Sequence, residues 1–226
     1  LEKILLTILT AFSISICSGQ ARLPLFKDTY SRKGKPKIAM GIEMRERVVQ
    51  YLGPFKDTIT IEPIPDKSVA IGDNKVLIDD TVRNKYAYYT NGKLKISIDP
   101  LTHVTLEEYE WWSKKPEYKY YKANPIIIHN ETDSTTIVGY GYTIPIVLEA
   151  LDIDKVWKPV EIRYIYDCGI GLEYILLKPK DIMCVLAPVY GGDFKTKLRY
   201  KLGNSLSSEF VGQISRRQFD FKGKYK

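Results

Sequence analysis

Residues 194–202, Phe-Lys-Thr-Lys-Leu-Arg-Tyr-Lys-Leu, alternate without interruption. Phe194, Thr196, Leu198, Tyr200 and Leu202 fall on one side of an extended chain, and Lys195, Lys197, Arg199 and Lys201 fall on the other. A period of two is incompatible with an amphipathic helix and defines a half-buried strand. Any fold for this chain must therefore supply a sheet with one apolar face and a second face that accepts four cations about 6.8 Å apart.

The same logic extends over the second half of the sequence. Val160, Ile162, Tyr164, Tyr166 and Cys168 alternate with Glu161, Arg163 and Asp167. Further β-like runs cover Pro125 to His129, Thr135 to Glu149, Val156 to Cys168, Leu172 to Leu177, Ile182 to Ala187 and Leu206 to Ile214. Short runs divided by turn clusters predict an all-β or mainly β fold. Seven of them in about 100 residues match the size of an immunoglobulin-like antiparallel β-sandwich.

Ahead of this region, Thr58 to Glu62 reads as a strand stopped by Pro63 and Pro65. Asn91-Gly92 between Tyr86 to Thr90 and Lys93 to Ile98 carries a hairpin signal. Glu43 to Leu52 suits either a helix or a strand. Thr105-Leu106-Glu107-Glu108 fits a capping box, which predicts a short helix bearing Tyr109, Trp111 and Trp112. Arg32 to Lys37 reads as an extended arm.

Ile4 to Cys17 is an uncharged apolar run after Lys3, followed by small residues around Gly19 and Ala21. This is the pattern of a cleavable signal peptide, with cleavage after Gly19 or after Ala21, and the run is too short to span a bilayer. The expected organisation is a leader over 1–19, a smaller N-terminal β region over 20–122, a sandwich over 123–220 and a basic tail over 221–226. Export places the mature chain outside the cell or in a periplasm, with no transmembrane span. Lipidation of Cys17, giving a lipid-anchored envelope protein, is the alternative, although Ile14-Ser15-Ile16 puts bulky residues where small ones are needed. Cleavage leaves Cys168 and Cys184, an even count suited to an oxidising compartment. A bond between them would close a loop of about 15 residues, contributing about 3 kcal/mol on the chain-entropy estimate. The competing reading is two small buried apolar residues.

Landmarks in fixed order run through the C-terminal half: Asn130 to Thr135 after an apolar strand, Gly139-Tyr140-Gly141-Tyr142, Trp157-Lys158-Pro159-Val160, Cys168-Gly169, Leu177-Lys178-Pro179, and Tyr190 to Arg199. Over about residues 123 to 220 the chain resembles bacterial immunoglobulin-like domains, and most closely uncharacterised secreted proteins of Bacteroidota that carry such a domain at the C-terminus. The resemblance implies a sandwich fold and export. It implies no reaction and transfers no functional residue.

Motifs for chemistry are sparse. His103 and His129 are the two histidines, and neither has ligand spacing around it. No Gly-x-Ser-x-Gly elbow accompanies them, and Gly139-Tyr140-Gly141 and Gly169-Ile170-Gly171 lack the Gly-Lys-Ser/Thr of a phosphate loop. Neither catalytic residues, a metal nor a cofactor are expected. Carboxylates cluster at Asp79-Asp80, Glu107-Glu108 and Asp152 with Asp154. The last pair suits a solvated turn before it suits calcium.

Two segments offer binding chemistry. Residues 109–121 interleave aromatics with lysine, so Trp111, Trp112, Tyr118 and Tyr120 are candidates for stacking on sugars, with packing at the domain junction as the stronger reading. Lys195, Lys197, Arg199 and Lys201 form a basic ladder that fits an acidic polymer, or serves more plainly as a solvated face that discourages edge pairing. The net charge of +7 favours anionic partners in general; an acidic protein, a glycan or an anionic envelope surface is expected, and nucleic acid is not. The function expected is that of an exported, non-catalytic interaction or envelope-associated protein. The alternative is a glycan-acting hydrolase with a facing carboxylate pair, since a glycosidase needs two such groups across a sugar.

Overall fold

The computed structural model describes residues 23–30, 35–41, 44–45, 47–63, 70–91, 93–110, 117–163 and 173–220. The leader over 1–19 with Cys17, the aromatic residues Trp111 and Trp112, Cys168, and the 221–226 tail lie outside the described residues. The described chain is mainly β. Its first strands are β1 (Leu25–Asp28), β2 (Met44–Arg45), β3 (Val49–Gly53), β4 (Thr58–Ile61) and β5 (Lys75–Leu77), followed by α1 (Asp80–Lys85). Next come β6 (Ala87–Tyr88), β7 (Leu94–Ile98), β8 (Val104–Glu110), β9 (Glu117–Asn130), β10 (Thr136–Tyr140) and β11 (Val147–Leu151). The last are β12 (Trp157–Pro159), β13 (Ile162–Arg163), β14 (Glu173–Leu177), β15 (Ile182–Pro188), β16 (Phe194–Leu202), β17 (Ser205–Leu206) and β18 (Phe210–Ile214), with a closing 3-10 turn over Arg216–Asp220. Among the described residues no helix is long and apolar enough to cross a membrane.

The 14-residue β9 organises the largest sheet, whose order is β3-β15-β9-β7 with β8 also on β9. One edge of β9 takes β15 over Ala123 to His129. Its other edge takes β7 over Ile126 to Asn130 and then β8 over Glu117 to Ala123. Pro125 has no N–H to donate and sits where that second edge passes from β7 to β8, the one stretch of β9 where a donor is not needed. Beside it, the buried Asn124 amide donates to the carbonyls of Pro100 (3.3 Å) and Thr102 (2.8 Å), filling the gap in the ladder. Buried from end to end, β15 is apolar on both faces as its sequence requires.

A second sheet has the order β12-β11-β16-β17, with β18 on the same edge of β16 as β17. The bounds of β16 are those of the alternating run, with Leu198, Tyr200 and Leu202 buried. Edge strand β12 ends on Pro159, as an unpaired edge permits. A bridge between Ile96 and Ser207 joins the two sheets, and their inner faces share one apolar core that includes Ile126, Ile128, Met183, Leu148 and Tyr200. A third sheet runs β5-β14-β10-β6, and β1 with β4 and β2 with β13 form parallel pairs.

Several expectations change. The boundary between 122 and 123 falls inside β9, and β3, β5, β6 and β7 pair with residues of the second half, so the two stretches share their sheets. Asn91 does turn, its N–H bonding the Tyr88 carbonyl at 2.9 Å, but the flanking strands part: β6 pairs in parallel with β10, while β7 joins β9. Packing draws β6 away, for the Tyr88 hydroxyl bonds that of Tyr174 at 2.5 Å and the rings meet edge to face. The capping-box segment is strand β8 rather than helix, because pairing with all of Glu117 to Ala123 outweighs a local cap. There the Thr105 N–H is bonded by the Asp28 carboxylate at 2.7 Å. Glu43 to Leu52, open between helix and strand, contains β2 and β3.

One ion pair lies wholly inside. Arg47, 1% exposed, bonds through Nη2 to Oε2 of Glu161. Glu161 also accepts the Leu148 N–H (2.8 Å) and the Tyr190 hydroxyl (3.0 Å). Burial opposes the charge on Arg47, yet the Glu161 carboxylate, followed by Tyr190 and Tyr200, outweighs it and drives the guanidinium pKa up. Removing one partner of such a pair leaves a bare buried charge, whereas removing both is commonly tolerated. Glu161→Leu alone is expected to lower the unfolding free energy by about 3–5 kcal/mol. Arg47→Met with Glu161→Leu should recover most of that loss in urea titrations.

Cys184 is a free thiol, fully buried, and burial pushes its pKa up. Its candidate partner Cys168 lies outside the described residues. Iodoacetamide at mildly alkaline pH should leave the Cys184 peptide unlabelled in the native protein and label it in guanidinium without reductant. Mass spectrometry after digestion reads both.

Candidate functional site

The β8–β9 hairpin carries its aromatic rings in cross-strand register. Tyr109 stands opposite Tyr118, and Glu107 opposite Tyr120, so by strand parity these four share one face. Tyr109 and Tyr118 are 49% and 59% exposed, with ring centroids 4.8 Å apart at 44°. Tyr120 is half-buried, bonds the Glu107 carboxylate, and packs its ring 6.2 Å from that of the buried Tyr30. Burial, helped by Glu107, raises the phenol pKa of both Tyr30 and Tyr120. The row thus grades from a core-anchored ring through a carboxylate to an open two-ring surface. Of the aromatic candidates, Tyr118 and Tyr120 fall on this row, and Trp111 and Trp112 lie outside the described residues. The place of Glu107 beside these rings was hidden by the capping-box reading, since Val104, Thr105 and Leu106 are all buried and blur the alternation that marks a strand.

The basic ladder is real as a face and is largely answered by carboxylates. Arg199 Nε donates to Glu149 Oε2 at 2.8 Å, and Lys201 lies 3.5 Å from Glu149 Oε1. The Arg199 guanidinium also sits 4.1 Å from the centre of the Trp157 ring. Lys197 pairs with Glu209 at 2.9 Å. Lys195 is left without an ionic partner among the described residues. Exposed pairs like Lys197 with Glu209 contribute little stability, but the two carboxylates Glu149 and Glu209 offset part of the charge an acidic polymer would meet. The sequence signal for Glu149 is its place across from Arg199 in β11, which only the register reveals.

The other carboxylates have local roles. Asp152 receives the Lys158 ammonium at 2.5 Å and the Val156 N–H at 2.8 Å, and the bond from Lys158 holds its pKa below the usual range. Glu107 and Glu108 are neighbours on β8 and so point to opposite faces. Among the described residues no three His, Cys, Asp or Glu gather as a metal site. A cleft of about 70 Å³ lies between Pro100, Asn124 and Pro188 to Tyr190 on one side and Phe210 to Gln213 on the other, well below the roughly 300 Å³ at which small-molecule pockets begin.

His103 closes the β7-to-β8 turn, its Nδ1 accepting from the Asn124 amide at 3.0 Å. His129 is half-buried on β9, 3.6 Å from Glu131. No family model, curated protein or solved structure matches the chain.

Burial, then Lys122, lowers the His103 pKa from 6.5, so the folded state prefers the neutral ring. Stability contributed by this group is full above pH 6.5 and is lost as pH falls below it through the depressed folded value. His103→Gln should flatten that part of the pH–stability profile, and the native imidazole should titrate below 6.5 by NMR.

Proposed function

We propose that this chain is an exported, non-catalytic interaction protein of the cell envelope, and that it binds a glycan on the tyrosine row of the β8–β9 hairpin. The observation that carries the reading is the exposed Tyr109 and Tyr118 pair, two rings presented side by side with the Glu107 carboxylate next in the row. Apolar ring faces of that kind match the C–H faces of sugars, and a carboxylate accepts from sugar hydroxyls. Antiparallel pairing of β9 with β15 and of β11 with β16 and of β16 with β18 supports the likeness of residues 123–220 to bacterial immunoglobulin-like domains, with extra strands contributed by the first half. The apolar leader supports export.

The hydrolase alternative has weaker support. Glu149, Asp152 and Glu161 are each engaged by a cation rather than held across a sugar-sized gap.

Affinity electrophoresis of the mature chain in gels containing neutral or acidic polysaccharide tests the assignment. Retardation is expected in at least one glycan, and Tyr109→Ala with Tyr118→Ala should weaken it about tenfold, roughly 1.4 kcal/mol. Lys195→Glu separates a polyanion mode, in which retardation by acidic glycans alone would fall. New reducing ends appearing with the parent and not with Glu107→Gln would return the chain to the hydrolase class.

A further inference from the structure

The two main sheets are stitched together at one end and part at the other. Near Leu94 the seam is closed, with the Leu94 N–H on the Ser205 hydroxyl (3.2 Å) and a bridge from Ile96 to Ser207. Past Ile98 the chain turns away through Asp99 to Thr102, and the cleft opens between Pro100 and β18.

Among the described residues, the backbone of β18 has a free side facing that opening. The Tyr200 N–H bonds Ser207 Oγ, and the Tyr200 carbonyl accepts the Ser207 N–H, so even-numbered residues of β16 turn their peptide groups towards β17 and β18. Phe194, Thr196 and Leu198 therefore bond Ile214, Gly212 and Phe210. The peptide groups of Val211 and Gln213 point the other way, and among the described residues they have no backbone partner. Both residues are exposed, both line the cleft, and the strand Phe-Val-Gly-Gln-Ile carries none of the charges that guard an edge.

The geometry points to β18 as a docking edge for an extended peptide of another protein, added as the next antiparallel strand, with a small aliphatic side chain turned inward and acidic side chains turned outward. A strand bonded to Val211 and Gln213 places the residue opposite Gly212 on the inner side. Leu198 fills the place a side chain at Gly212 would take, its Cδ1 lying 2.4 Å from a Cβ built there, so the incoming side chain packs against Leu198 at the mouth of the cleft. The cleft beneath, about 70 Å³ and bounded by Leu198, Tyr200 and Phe210, holds about two waters or one small aliphatic group. On the outer face, the incoming residue opposite Gln213 lies two strand spacings, about 10 Å, from Lys195, whose ammonium has no ionic partner. An acidic side chain reaching across Gln213 supplies one. A second copy of β18 pairing about Gly212 fits poorly, since it sets glycine over the cleft and brings Lys195 of the two copies towards each other.

The probe is a fluorescein-labelled seven-residue peptide of alternating glutamate and valine, titrated with the mature protein and read by anisotropy, with a lysine–valine peptide as control. Saturable binding of the acidic peptide, and slowed hydrogen exchange at the Val211 and Gln213 amides, are the expected results. Val211→Pro removes an N–H that faces away from β16, so the fold should survive, as an unchanged melting temperature would show, while affinity drops at least tenfold. Lys195→Glu should transfer preference to the lysine–valine peptide. Equal binding by Val211→Pro, or no binding of the acidic peptide to the parent, overturns the inference. So does protection of the same amides by protein concentration alone, with a dimer in sedimentation, which would make a second copy the occupant.

Discussion

The pairing of Arg47 with Glu161 sets the terms for the rest of the molecule. A guanidinium that is 1% exposed has to be neutralised in place, and Glu161 does this while also taking the Leu148 N–H and the Tyr190 hydroxyl. Those contacts bind four separate stretches: the approach to β3, strand β11, the segment after β12, and the end of β15. Two guanidinium nitrogens, Nε and Nη1, have no hydrogen-bond partner among the described residues, so the arrangement is costly and gains little beyond what an apolar filling would give. Its contacts tie those four stretches to one another. Gln218 adds a neutral counterpart, clamping the final 3-10 turn to the Val160 carbonyl at 2.8 Å.

Around that centre, β9 determines what projects. Its partners divide its length: β15 and β7 cover the Ala123-to-Asn130 half, whose isoleucines are buried, and β8 alone continues along the Glu117 half. Lys37 lies against the other edge at Tyr121, with its N–H on the Tyr120 carbonyl at 2.9 Å. The hairpin therefore leaves the core gradually, which is why Tyr30 and Tyr121 are buried, Tyr120 half-buried and Tyr118 open. An exposed pair of tyrosine rings and the buried base beneath it follow from one long strand. In the second sheet β16 is covered on one edge by β11 and on the other by β18 and β17 in turn, and the outer rim of β18 has no strand partner among the described residues.

Legibility followed the range of the interactions. The run 194–202 was readable to the residue because its alternation is imposed by burial on one face and solvent on the other, a purely local pattern. Thr58 to Ile61 was readable for the same reason. Asn91 was readable as a turn and misleading as a hairpin, because the energy that places β6 comes from Tyr174 and Ile137, distant in sequence. Glu107 looked like part of a helix cap until pairing with Tyr120 made it part of a ring-bearing face. The basic ladder was visible, and the acids that answer it were not, since Glu149 and Glu209 are brought to it by strand register.

By itself the sequence determined the mainly β class of structure and the strand that carries the cations. Each depends on the spacing of neighbours along the chain. Tertiary structure decided which strands meet, that the first half and the second share sheets, which cations are neutralised, and where an edge is left open. Those outcomes depend on pairings between residues far apart in sequence, and the energies of many competing pairings differ too little for local pattern to choose among them.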